Sequence, residues 1–267
     1  MKVGFIGCGN IAAAIISGAV GAKYLNPAEV FCYNPHPEKA VALQQQYGVQ
    51  VLQSAAEVAG VAEVLFLTVK PQKYAQVIAE IKNSVLKSVC VVDVAAGVQI
   101  KTVQQLFGFS CAVVRAMPNT PLLVGQGATA LAAGSEVSKA CFEFVFGIFS
   151  AAGLACRVAE ENMDAVTGIS GSAPAFFMRF AREIITCGVQ NGMDPAAAEQ
   201  LVVQTMRGTA ELLTKNPGAV NTLIKNVASP GGTTEAGLKQ MDALDFDAKT
   251  NAIIQAAITR SAELAKN

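Results

Sequence analysis

A short apolar strand, a glycine turn and an uncharged helix follow one another at the start of the chain, and few folds accept that succession. Lys2-Val3-Gly4-Phe5-Ile6 reads as a buried strand, Gly7-Cys8-Gly9-Asn10-Ile11-Ala12 as a glycine turn, and Ala12 to Val20 as a helix without a charge. Strand, G-x-G-x-x-A and helix in that order form the dinucleotide fingerprint, in which glycines let the backbone approach a pyrophosphate at the helix start. One lysine before the uncharged run Val3 to Ala22 also imitates a signal peptide. Gly7, Gly9 and Asn10 break that run where a signal core is continuous.

To about residue 160 the chain alternates apolar runs with helical patterns, as a mostly parallel sheet covered on both faces requires. Strands are expected at 2–6, 30–33, around 49–51, 64–69, 89–94, 112–116 and 128–132. Helices are expected from near Pro37, Ser54 with Glu57 as a capping box, near Gln72, near Ile100 and at Ser135. Past residue 160 the strand signal stops. The fold class is therefore α/β: a Rossmann-type dinucleotide-binding domain over 1–160, then an all-helical domain over 161–267. Within the second domain, Phe176, Phe177, Phe180, Ile184 and Ile185 give Ala175 to Val189 an apolar load too wide for one face of an exposed helix. Burial by another subunit or within its own domain would explain it.

The composition narrows the ligand. Twenty basic and twenty acidic residues among 267 leave no net charge, so there is no electrostatic footprint for nucleic acid or an anionic membrane and a small molecule is expected. Seven cysteines show no C-x-x-C pair and read as core thiols of a reducing, cytoplasmic compartment, not as a zinc site. With His36 as the one histidine, a metal cluster or a histidine base has little material. The second uncharged stretch, Ala116 to Ser135, is broken by prolines and glycines and does not read as a membrane span.

Ligands of such sheets lie beyond the strand ends. The segments there are Asn34-Pro35-His36, Val69-Lys70-Pro71, Ala95-Ala96-Gly97 and Met117-Pro118-Asn119-Thr120-Pro121. Together with Gly7, Gly9, Asn10, Ile11 and Ala12 they make the expected cofactor site. In NAD-binding relatives of this fold a carboxylate ends the second strand and repels a 2′-phosphate; here the strand ends in Asn34, which admits NADP. His36, Lys39 and Lys70 are the residues available to meet that phosphate. Near the other end, Ser229-Pro230-Gly231-Gly232-Thr233-Thr234-Glu235 is a glycine-lined turn opening into a helix. Free N–H groups and hydroxyls there read as a cradle for a small carboxylate.

Taken together, these motifs resemble one family, pyrroline-5-carboxylate reductase. The likeness rests on the glycine turn at 7–12, Val69-Lys70-Pro71, Ala96-Gly97, Met117 to Pro121, the small-residue junction at 164–175, and above all Ser229 to Thr234 followed by Gly237-Leu238. It implies reduction of L-1-pyrroline-5-carboxylate to L-proline with NADPH, NADH being a weaker donor. The substrate would lie against Ser229, Gly231, Gly232, Thr233 and Thr234, the hydroxyl of Thr234 near the ring nitrogen. The helical domain would form a homodimer that can assemble further. A cyclic imine arrives already protonated near neutral pH, so the site has to supply orientation more than a strong acid. The chain departs from the family at Ala173, where glycine is usual, at Pro35, where arginine is common, and by a few extra residues between Pro217 and Pro230.

Two other classes remain at this point. A hydroxyacid dehydrogenase of the 6-phosphogluconate type shares the layout, but laying its G-x-x-G-x-G-x-x-x-K pattern on Gly168, Gly171 and Ala173 puts Phe177 at the lysine position. A dinucleotide sensor without turnover is the non-enzymatic alternative; the intact cradle and Thr234 argue against it.

Overall fold

The computed structural model describes residues 1–86 and 88–264; the last three residues of the expected helical domain lie outside that range. Eight strands form one sheet: β1 Val3–Ile6, β2 Val30–Tyr33, β3 Gln50–Val51, β4 Val64–Leu67, β5 Cys90–Asp93, β6 Ala112–Met117, β7 Gly127–Ala133 and β8 Gly153–Arg157. Their order is β3-β2-β1-β4-β5-β6-β7-β8. Only β6 and β7 pair antiparallel. β1, β4 and β5 are buried at every residue, as central parallel strands covered on both faces must be.

One face packs against the helices Asn10–Gly21 and Lys139–Ser150 around Phe5, Ile15, Phe66 and Phe149, where the rings of Phe5 and Phe66 stack 4.5 Å apart. The other packs against Ala55–Val61, Tyr74–Ile81 and Ile100–Phe107 around Leu65, Leu67, Ile78 and Val103.

The expected elements form, with local differences. Ser54 Oγ accepts the Glu57 N–H (3.1 Å), while the Glu57 carboxylate reaches one residue further back than the capping box requires, to the Gln53 N–H (3.0 Å). The helix expected at Ser135 begins at Lys139, because Ser138 is the residue whose hydroxyl caps it, accepting the Cys141 N–H (3.2 Å). β8 was not expected. It is an edge strand of mixed exposure with one neighbour, and small residues ending in an arginine carry little alternation to read.

The compact units divide at Ser172/Ala173. The first comprises residues up to Ser172 and the chain from Ala256 on; the second is Ala173–Gln255. The final helix, Phe246–Leu264, thus contributes to both. Its later part is tied into the first unit by Ser261, whose hydroxyl donates to Asp164 (2.7 Å). In the second unit the buried apolar residues among those described are three alanines, Ala173, Ala181 and Ala198. Phe177 is 62% exposed and Phe180 51%. No described helix is long and apolar enough to cross a membrane.

Candidate active site

The carboxyl ends of four strands stand in one row, because Ile6 pairs with Tyr33 and Leu67, and Leu67 with Asp93; beside them Asp93 pairs with Arg115 of β6, which ends two residues further on at Met117. The four turns singled out in the sequence therefore leave the sheet side by side. β1 sits where the strand order reverses, between β2 and β4, and doubly wound sheets take their ligands in the crevice at such a point.

Gly7 turns with φ +101°, and a Cβ there would stand 2.7 Å from the Thr68 carbonyl oxygen. Glycine alone satisfies both conditions. The Gly7 N–H donates to Tyr33 O (2.9 Å) and the Cys8 N–H to Asn34 Oδ1 (3.0 Å), while Asn34 Nδ2 donates to His36 O (2.9 Å). From the other side the Thr68 hydroxyl donates to Gly7 O (2.6 Å). Two side chains clamp the turn, and Thr68 escaped the sequence reading because a threonine at a strand end carries no signal of its own. Among the described residues, no backbone acceptor meets the first-turn N–H groups of Asn10, Ile11 and Ala12, and a Cβ on Gly9 would enter open space. A cradle of free donors beside open space fits a pyrophosphate.

The other expected cofactor residues divide. Pro35, His36, Lys39, Lys70 and Pro71 are exposed, Val69 and Ala96 half-buried, and Ala95, Gly97 and Pro118 buried. Asn119 spends its side chain inside the protein: Oδ1 accepts the Ala128 N–H (2.9 Å) and Nδ2 faces Ser170 O (3.3 Å). It braces the end of β6 against the turn Thr167–Gly171.

Asp93, the last residue of β5, is fully buried. Its Oδ1 accepts the Ala95 N–H (2.9 Å) and lies 2.5 Å from Tyr74 Oη. Burial pushes its carboxyl up to about 7, against the hydrogen bonds from Tyr74 and Ala95 and the charge of Arg115. Arg115, buried beside it on β6, pairs with Glu160 (3.6 Å) and Asp164 (4.0 Å). Neither Asp93 nor Tyr74 was expected from the sequence, where an acid ending an apolar strand looks like any solvated strand end.

In the second unit, Ser229-Pro230-Gly231-Gly232 is a tight turn closed by the Gly232 N–H on Ser229 O (3.0 Å), with Gly231 at φ +72°. Proline followed by a positive-φ glycine is the signature of a type II turn. The helix Thr233–Ala243 starts directly after it. The Gly231 N–H, expected to be free for an anion, already donates to the Glu235 carboxylate (2.8 Å). The N–H groups of Thr233 and Thr234 have no partner among the described residues. Thr234 is half-buried and Thr233 exposed.

Comparison with known proteins matches the chain end to end. The chain is 34% identical over 269 residues to the pyrroline-5-carboxylate reductase of Escherichia coli, covering all of this chain and 99% of that one. The chain belongs to the pyrroline-5-carboxylate reductase family. The Synechocystis reductase is 38% identical over 266 residues, covering 100% of this chain and 99% of that protein. Residues 160–264 match the family model for pyrroline-5-carboxylate reductase dimerisation, and residues 2–97 that for NADP oxidoreductase, coenzyme F420-dependent. Among solved structures, a pyrroline-5-carboxylate reductase from Coxiella burnetii superposes with a TM-score of 0.93 at 31% identity, covering 100% of this chain and 99% of that one. The Plasmodium falciparum enzyme, solved with NADP bound, gives 0.90 at 29%, covering 99% and 98%. These likenesses favour neither the hydroxyacid dehydrogenase nor the sensor.

Proposed function

We infer that the protein reduces L-1-pyrroline-5-carboxylate to L-proline, with NADPH as the preferred hydride donor and NADH as a weaker one. The observation that carries this reading is the likeness to reductases of that name over the full length of both chains. NADPH when bound supplies the hydride and its electron pair. The donors of Asn10, Ile11 and Ala12 hold its pyrophosphate beside Gly7 and Gly9, and the turns at 34–36, 69–71, 95–97 and 118–119 line the rest of its site. His36, Lys39 and Lys70, all exposed near strand ends, attract the 2′-phosphate that Asn34 does not repel.

The Thr233 and Thr234 N–H groups bind the substrate carboxylate, supported by the positive end of an eleven-residue helix. Ser229 and the two glycines set the shape of that cradle. Gly231 acts through its conformation, and a Cβ on Gly232 would stand 2.6 Å from Ser229 Oγ. The Thr234 hydroxyl hydrogen-bonds the ring nitrogen and orients the imine carbon for attack. The exposed apolar faces of the second unit close a homodimer, in keeping with the dimerisation model over 160–264. Seven free cysteines, four of them buried, suit a reducing cytoplasm.

NADPH oxidation on adding pyrroline-5-carboxylate tests the reading, with proline formation as the second readout. Binding of NADPH without turnover of this substrate would overturn it.

A further inference from the structure

Tyr74, 2% exposed, places its Oη 2.9 Å from the Leu67 carbonyl and 2.5 Å from Asp93 Oδ1. A phenol owns one proton, and the Leu67 oxygen can only accept. For both contacts to be hydrogen bonds a second proton is required, and the Asp93 carboxyl is the group able to carry it. The run is then Ala95 N–H to Asp93, Asp93 O–H to Tyr74, and Tyr74 O–H to Leu67. Asp93 Oδ2 points the same way: it is buried with no partner, which a neutral carbonyl-like oxygen tolerates far better than half of a carboxylate.

The charged and titratable groups around it do not reverse this. Arg115 from β6 is engaged by Glu160 and Asp164. Glu160, from the turn after β8, opposes ionisation of Asp93, as burial does. Burial likewise keeps the Tyr74 phenol protonated.

We propose that Asp93 is a positioning residue that works as a neutral acid, its proton joining the turn after β4 to the turn after β5. The inference rests on the cofactor reading in one respect: those are the turns Val69–Pro71 and Ala95–Gly97, which line the proposed dinucleotide site. Ionisation draws the Tyr74 proton to the carboxylate, which the Ala95 N–H also favours, and leaves the Leu67 carbonyl without its donor, so the turn after β4 loosens. NADPH then binds more weakly at alkaline pH.

Four measurements on the full-length protein and Asp93→Asn test this. Infrared difference spectra of the cofactor-free protein at pH 6 show a protonated buried carboxyl that is missing from the variant. Melting temperature falls between about pH 4 and pH 7 in the native protein, because the unfolded acid ionises near 4 while the folded one holds its proton; the variant flattens that fall. Amide protection at Val69 and Lys70 falls between pH 6 and pH 8.5 in the native protein, where ionised Asp93 draws the Tyr74 proton off the Leu67 carbonyl, and holds level in the variant. NADPH affinity drops about 2- to 10-fold from pH 6 to pH 9 in the native protein beyond any drop in the variant, the effect of one hydrogen bond.

Absence of the infrared band, or identical pH dependences in the two proteins, overturns the proposal. Failure of NADPH to bind either protein counts against the cofactor reading instead. The infrared, melting and exchange readouts then still decide the state and role of Asp93.

Discussion

Thr234→Ala separates catalysis from stability at the cradle. Among the described residues the Thr234 hydroxyl has no hydrogen-bond partner, and the helix cap at Gly232 uses no side chain. Removing that hydroxyl therefore breaks nothing in the free protein. Alanine is also the better helix former, by up to about 0.7 kcal/mol. The melting temperature should stay level or rise slightly. With substrate bound, the same change removes one hydrogen bond in a largely dry site, worth about 1 to 3 kcal/mol, or roughly 5- to 150-fold in kcat/KM. NADPH affinity should hold, and Thr234→Ser should keep most activity. Thermal melts and steady-state NADPH oxidation on the three proteins supply every number required. A Thr234→Ala enzyme that loses about 1 kcal/mol of stability, as loss of a cap would cost, yet retains native kcat/KM would refute the reasoning.

Gly7→Ala places a side chain at φ +101° and 2.7 Å from a backbone oxygen; it should cost about 1 to 3 kcal/mol of stability and abolish NADPH binding at concentrations that saturate the native protein, as calorimetry would show. Asn34→Asp keeps the acceptor for the Cys8 N–H but loses the donor to His36 O. It should lose about 0.5 to 1.5 kcal/mol and move the ratio of kcat/KM values toward NADH, and an unchanged ratio would show that this strand end does not select the cofactor. Phe177→Asp puts a charge on a ring that is 62% exposed in the isolated chain. An obligate interface buries more than about 2,000 Å² and is core-like, so light scattering should report a shift from dimer to monomer. A native protein that is already monomeric at micromolar concentration would refute the interface.

Much of the architecture was legible because periodicity and turn chemistry are local. Short apolar runs between turn signals read as buried strands once helices flank them, and β1, β4 and the first three residues of β5 follow from that. Gly7, Gly231 and Gly232 stand where the chain turns in ways a side chain obstructs, and that too is written residue by residue. The Ser54 cap and the helix after Thr233 are read the same way.

What the sequence could not decide is whom each polar side chain meets. Asn34 and Thr68 lie 34 residues apart in the numbering yet hold opposite sides of one turn, and only strand pairing brings them there. Asn119 stays in the turn expected to line the cofactor site, but its side chain is spent on Ala128 and Ser170. The Gly231 N–H looked free and is taken by Glu235. β8 exists because β7 offers an edge to pair with, and an edge strand is defined by its neighbour more than by its own residues. Asp93 has the same composition as any acid at the end of a strand. Its burial comes from β4, β6 and the helix Tyr74–Ile81 closing around it, and a carboxyl's charge is set by that surrounding dielectric and its partners, none of which is local in sequence.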